Sequence, residues 1–413
     1  MKILLSAIAC NPVTGSDAFF GWSAARALTS LGEVHVLTHG FSRPFISTEQ
    51  EKALPSIKFH FLGSPGKLSR NGLVARLQSW QGCRLWQERL VLPYAEELNA
   101  LERFDLVHHV TISSWRLPSP LWKLGIPFIW GPLGGGEETP MAFRPLLSPP
   151  ARVFEVLRRM SSFRAKHSKC LRDCAHSSSI ALAANKESAG VLVKLGCSRV
   201  EMLSPAFFPP NRISRFERDL PSKNWNGPLR IFSGGNLEGR KGVALSLQAL
   251  ARLKCERIPF IYQIGGGGAE KPFLQKLAKE LGLGPEDIEF GEGLTGSNYS
   301  DALHRTHVYL LPSLRENAGL TMMEAMLAGC VPVVLKLGGP GEIVTSDCGY
   351  PIPVENPAAA VEAITSTLRE LHENRAQCKR LGEAASARIR SHYSESAYLE
   401  EIRRIYQTAL RSS

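Results

Sequence analysis

The pattern that most restricts this chain is a repeated alternation of short apolar strands with amphipathic helices, running almost from end to end. Lys2–Ile8, Val34–Thr38, Ile57–Leu62, Leu106–Val110, Phe128–Trp130, Ile180–Ala183 and Val200–Leu203 read as strands. A second series starts over at Leu229–Ser233 and continues through Phe260–Ile264, Ile288–Phe290, His307–Leu311, Val331–Val334 and Gly349–Pro351. Strands that are apolar along their whole length need cover on both faces, so the pattern calls for parallel sheets flanked by helices. At 413 residues the chain exceeds what one hydrophobic core organises, and two domains are expected. The first is read at 1–205 and the second at 228–390. Between them, 206–227 reads as a linker, because Ser204 to Gly227 carries prolines and mixed charge without a clear period. The closing segment, 391–413, has Tyr398, Leu399, Ile402, Ile405, Tyr406 and Ala409 at the spacing of a helix with one buried stripe.

Charge and cysteine usage narrow the function classes. The formal net charge is +11, and residues 1–200 hold 24 Lys+Arg against 14 Asp+Glu, whereas the remainder is nearly balanced. A basic N-terminal half suits an anionic partner. No groove-reading or aromatic-stacking motif accompanies the cations, so nucleic acid is not expected; membrane phosphates, a phosphorylated acceptor or a merely soluble basic surface stay open. Two amphipathic basic stretches, Lys67–Arg89 and Arg152–Arg172, carry much of this charge. In the second, Val153, Val156, Leu157, Met160 and Phe163 mark an apolar side flanked by Arg158, Arg159, Arg164, Lys166 and Lys169. Such a stripe suits an anionic membrane surface and equally suits burial against the N-terminal sheet.

No apolar run approaches the about 20 residues needed to span a bilayer. Met1 to Cys10 reads as a first strand rather than a signal peptide, since it has one Lys and runs straight into the Asn11-Pro12 turn. Nine cysteines without paired spacing suit free thiols in a reducing, cytoplasmic setting. Cys170, Cys174 and His176 lie close together in sequence, but no second cluster completes a zinc site.

The chemistry concentrates where strands hand over to helices in the second domain. Pro312 to Ala318 reads as a loop and Leu320 to Leu327 as a helix, whose first free N–H groups near Gly319 attract a phosphate. Glu316 in the loop and Glu324, over a turn into the helix, can accept hydrogen bonds from two hydroxyl sets of one long ligand, such as a sugar and a ribose. Upstream, the run from Leu229 through Gly234, Gly235, Asn236, Arg240, Lys241 and Gly242 is a strand, a glycine-rich turn and a helix start bearing two adjacent cations. Cations there can neutralise a diphosphate as it departs. Gly291 to Gly296 formally matches Gly-x-Gly-x-x-Gly, but mid-domain and ahead of a modest helix it makes a poor dinucleotide fingerprint. His108 and His109 end a strand, and only one of them can face the ligand side because successive strand residues point to opposite faces.

The context from Pro312 through Glu316, Gly319, Leu320 and Glu324 to Met326 resembles the donor-site signature of the family 4 retaining glycosyltransferases. The segment Leu337 to Val344 is similar to that family's Gly-Gly-x-x-Glu-Ile-Val block, which reads as architectural. The stretch Gly15-Ser16-Asp17 to Gly21-Trp22 and the loop Gly131 to Glu137 resemble one branch of it, with Asp17 in place of the usual Glu. The resemblance implies a GT-B architecture, in which two Rossmann-like doubly wound parallel-sheet domains face each other across a cleft and the closing helix crosses back to the first domain. It also implies retaining transfer of a hexose-type sugar from a nucleotide-diphosphate sugar to a glycan or lipid-linked glycan.

By the same resemblance, Lys241 meets the diphosphate, with Asn236 where the family has an Arg and Arg240 available to stand in. Gly319, Leu320, Glu324, Gly15 and Ser16 contact the donor, Leu294 lies beside the base, and Glu316 and His109 border the transferred sugar. No Asp-x-Asp pair occurs, so neither a metal nor another cofactor is expected. A noncatalytic sugar-nucleotide binding subunit, or a nucleotide-sugar hydrolase or epimerase on the same scaffold, are the competing readings.

Overall fold

The computed structural model describes residues 1–13, 17–63, 82–217, 223–291, 293–294 and 296–411. Two compact units emerge, one of residues 1–136, 161–207 and 395–413 and the other of residues 137–160 and 208–394. Each is built on one wholly parallel sheet.

In the first unit, β1 (Lys2–Ala7), β2 (Glu33–His39), β3 (Ile57–Leu62), β4 (Leu106–Thr111), β5 (Phe128–Leu133), β6 (Ile180–Ala183) and β7 (Val200–Met202) lie in the order β3-β2-β1-β4-β5-β6-β7. In the second, β8 (Leu229–Gly234), β9 (Phe260–Gly265), β10 (Ile288–Phe290), β11 (Val308–Leu311), β12 (Val331–Leu335) and β13 (Tyr350–Ile352) lie in the order β10-β9-β8-β11-β12-β13. Every strand segment expected from the sequence is present. The strands β4, β5, β6, β11 and β12 are buried at every position, which is why their sequences, apart from His108, His109 and Thr111 of β4, run apolar instead of alternating.

Both sheets reverse direction of growth beside their first strand, between β1 and β4 and between β8 and β11. In a doubly wound sheet that switch point leaves a crevice outside the carboxyl ends of the two strands, because their following helices go to opposite faces. The loops after β8 and β11 therefore become neighbours although about 80 residues separate them in sequence.

Two core layers sandwich the first sheet. One contains Leu5, Val36, Leu106, Ile129 and Leu182 together with Tyr398, Ile402, Ile405, Tyr406 and Ala409, so the stripe of the closing helix Glu395–Arg411 is its buried face. The core of the second unit includes Ile231 on β8, Tyr262 on β9 and Leu310 on β11.

Two segments sit differently from the sequence reading. Residues 137–160, read as part of the first domain, group with the second unit, because Phe143 and Leu147 enter its core. The stretch read as a linker, 206–227, contains the helix Pro210–Glu217 and groups with the second unit from Phe208 onward. The basic stretch Arg152–Arg172 is divided at Ser168 into the helices Pro149–Lys166 and Lys169–His176. Most of the other basic stretch, Lys67–Arg89, lies outside the described residues. Among the described residues, no helix is long and apolar enough to cross a membrane.

Candidate active site

Close backbone approach draws the two loops at the second switch point together. Gly242 has φ +67°, and a Cβ there would stand 1.9 Å from the Pro312 carbonyl oxygen, so only glycine lets the turn Gly239–Lys241 lie against the loop after β11. The Leu314 N–H donates to the Arg240 carbonyl at 2.8 Å. Behind them, the Gly339 N–H donates to the Glu316 carbonyl at 3.0 Å, and a side chain at Gly339 would strike the Asn317 oxygen. The Leu337–Val344 block is thus the floor of the Glu316 loop, and Glu342 lies in the last turn of the helix Gly338–Ile343.

This framework brings four charged groups into one cluster. Lys241 Nζ donates to Glu316 Oε2 at 2.5 Å, and Arg240 Nη1 donates to the same oxygen at 3.0 Å. Arg240 Nε also donates to Glu238 at 2.7 Å, and the Asn236 amide donates to Glu238's other oxygen at 3.0 Å. Arg240 is therefore the second cation beside Lys241, while Asn236 is turned toward Glu238. Burial alone would raise the Glu316 pKa, but Lys241 and Arg240 outweigh it and hold the carboxyl at about 2. With both cations drawn onto Glu316, the hollow bordered by Gly235, Asn236 and Lys241 measures only about 10 Å³.

The helix Leu320–Leu327 begins at Gly319, which has φ +74°, with no side-chain cap and no acid in its first turn. No cap or acid of its own first turn therefore offsets the partial positive charge at its N-terminus. Glu324 is buried on that helix. It accepts from Tyr299 OH at 3.1 Å and from Arg212, a residue of the stretch that reads as linker. Tyr299 is raised well above the usual tyrosine range, by burial first and by the Glu324 charge second.

Sequence reasoning assigned no role to Arg212, Arg315 or Glu155. Arg315, next to Glu316, donates to Glu155 and, at 3.3 Å, to Thr139; Thr139 in turn donates to Glu155 at 3.0 Å. Residues 137–160 thus brace the Glu316 loop from outside. A lone buried acid in a basic helix was the available signal for Glu155.

The remaining candidates fall elsewhere. Leu294 lines a cavity of about 340 Å³ with Arg230, Gln263, Glu289 and Arg305, which among the described residues shares no lining residue with the hollow at Lys241. Gly15 and Ser16 lie outside the described residues; the helix that follows starts at Asp17, which accepts from Ser113 Oγ at 2.9 Å.

The two histidines of β4 part company. The Gly131 carbonyl can only accept, so His108 Nε2 donates to it at 2.7 Å and Nδ1 accepts from Tyr406 OH at 2.8 Å, which commits His108 to the core. His109, 1 % exposed, meets Ser6 Oγ through Nδ1 at 3.3 Å and also interacts with the Ile112 backbone. Burial lowers His108 to about 3 and His109 to about 4, so both are neutral imidazoles.

Residues 216–388 match the family model described as Glycosyl transferases group 1. A putative colanic acid biosynthesis glycosyltransferase, WcaL of Escherichia coli K12, is 32% identical over 188 residues, covering 42% of this chain and 43% of that protein. The chain thus spans under half the length of the curated relatives it matches. Among solved structures, a sucrose-phosphate synthase from Thermosynechococcus elongatus matches with TM-score 0.66 and 14% identity, covering all of both chains. HepE from Anabaena in complex with UDP and glucose matches with TM-score 0.58 and 14% identity, over 98% of this chain and 99% of that one. At such identities the likeness speaks for the fold, which is GT-B, with two Rossmann-like units.

Proposed function

We propose, from the premise that residues 216–388 belong to the Glycosyl transferases group 1 family, that this chain is a retaining, metal-independent glycosyltransferase. It moves a hexose-type sugar from a nucleotide-diphosphate sugar to a hydroxyl of a glycan or lipid-linked glycan. The observation that carries this reading is the convergence of Lys241 and Arg240 on Glu316 beside an uncapped helix start. A diphosphate arriving there meets two fixed cations and the positive helix end, which stabilise the charge that develops as the bond to the anomeric carbon breaks.

In the reaction, the bond from the anomeric carbon to the diphosphate oxygen breaks, and the acceptor oxygen bonds to that carbon from the same face. The acceptor proton passes to an oxygen of the departing diphosphate, so no separate base is consumed. Glu316, ionised because its pKa is held at about 2, accepts hydrogen bonds from the sugar hydroxyls, and Glu324 accepts from the ribose. Lys241, Arg240 and the Gly319 helix start supply the electrostatic work that a metal does in other transferases. His109, neutral at working pH, borders the transferred sugar. The nine free cysteines suit a reducing, cytoplasmic setting, and the basic N-terminal half suits peripheral contact with the inner face of a membrane.

A panel of nucleotide sugars tests the reading by thermal shift and then by turnover. A donor at 100 times its dissociation constant raises stability by about 2.7 kcal/mol, and turnover needs an acceptor and disappears in Glu316→Ala and Lys241→Ala. Release of free sugar without an acceptor indicates a hydrolase instead. Binding without any turnover indicates a noncatalytic subunit, the alternative favoured by Asn236 standing where the family has an Arg.

A further inference from the structure

The helix Pro149–Lys166 is turned inside out. Its inward side is polar, with Glu155, Arg158 and Ser162 buried; Glu155 accepts from Arg315 and Thr139, and Arg158 donates to the Glu137 carbonyl. Its outward side is apolar. Val153 is 58%, Val156 53%, Leu157 39%, Met160 51% and Phe163 67% exposed. At 3.6 residues per turn these five side chains fall within an arc of about 120°. The stripe is therefore exposed rather than buried. A helix normally turns such a stripe to the core, and a contiguous apolar face left outward marks an interaction surface.

The charges around the stripe select its partner. Arg152, Arg159 and Lys166 project exposed along one edge, and Arg164 sits in the stripe itself. Lys169 and Arg172 continue the basic character into the next helix, also exposed. Glu155, the one acid on the helix, is buried beneath it, and an outward acid, Glu138, lies 3.8 Å from Arg159. A second copy of the chain would have to press these cations against their own equivalents. An anionic bilayer meets both demands, since valine, leucine, methionine and phenylalanine side chains enter the acyl boundary while the flanking Arg and Lys reach lipid phosphates.

We propose that the outward face of Pro149–Lys166 is a docking surface for an anionic lipid bilayer, with the helix lying in the plane of the membrane surface. This deepens the membrane contact proposed above, assigns it to a particular helix, and does not depend on the donor chemistry.

Co-sedimentation of the full chain with vesicles tests it, comparing phosphatidylglycerol in phosphatidylcholine with phosphatidylcholine alone. The wild-type chain binds the anionic vesicles, more weakly at high salt, and not the neutral ones. Two double variants, Val156→Ser with Phe163→Ser and Arg159→Glu with Arg164→Glu, each weaken binding at least about tenfold. Both keep the thermal midpoint and the nucleotide-sugar shift of the wild type, because all four side chains are exposed. Equal binding by the variants, or no binding of the wild type to anionic vesicles, overturns the proposal. So does a wild-type dimer in sedimentation velocity that dissociates in the serine variant, which would make a second copy the occupant. Nucleotide-sugar shifts on the same preparations separate failure of this proposal from failure of the donor reading.

Discussion

Replacing Glu316 by Gln keeps the shape of the loop and removes the charge that Lys241 and Arg240 share. The Glu316 pKa is held at about 2 against an ordinary value of 4.5. That difference, at about 1.4 kcal/mol per unit, makes the ionised carboxylate worth roughly 3 kcal/mol of folding stability. The figure agrees with the about 3–5 kcal/mol lost when one partner of a buried ion pair is removed, and Arg240's 27% exposure favours the lower end. For a unit of this size, Glu316→Gln should lower the thermal midpoint by about 6–12 °C at neutral pH.

The sign of the pH dependence follows from the lowered pKa. The contribution is complete above the unfolded value near 4.5 and disappears as pH falls through about 2, so the gap between wild type and variant narrows to under half near pH 3. Inorganic pyrophosphate should restore part of the variant's lost stability by neutralising the two released cations. Scanning calorimetry of both chains between pH 7 and pH 3 reads all of this. A neutral-pH difference below about 2 °C, or a gap that stays constant with pH, would refute the view that Glu316 is the counter-ion of this cluster.

Arg212→Ala leaves Glu324 buried with Tyr299 as its one side-chain donor among the described residues, and should cost about 2–3 kcal/mol in thermal unfolding together with weakened nucleotide-sugar binding; unchanged stability would show that the pair is incidental. Gly242→Ala forces a Cβ onto the Pro312 carbonyl from a left-handed backbone, so a loss of about 3 kcal/mol or more and a collapse of donor binding are expected by thermal shift. A soluble variant with wild-type midpoint would contradict the close packing of the two loops. Tyr406→Phe strips the donor from His108 Nδ1 in the core and should cost about 1–3 kcal/mol, with His109 and the donor-binding shift unaffected; a neutral effect would mean that His108 finds another partner.

Much of the fold was legible because it rests on local pattern. Apolar strands such as Ile180–Ala183 and Val331–Val334 announce burial on both faces, and the closing helix wears its buried stripe openly. The loop after β11 was also legible, since a glycine ahead of a helix and an acid in the preceding turn are neighbours in sequence. Spacing does not choose between Arg240 and Asn236, and only their geometry separates them: one reaches Glu316 and the other turns to Glu238.

Linear order by itself determined that this chain builds two parallel-sheet units and where the second carries its glycine turns, its paired cations and its two acids. Tertiary structure decided the rest. Arg212 comes from a stretch with no period to read, and Glu155 from a segment that crosses to the other unit; neither partnership leaves a trace in local spacing. The same holds for the helix Pro149–Lys166. Periodicity reports that one of its sides is apolar, but which side faces the protein depends on whether a distant Arg315 offers its acid a better partner than water does.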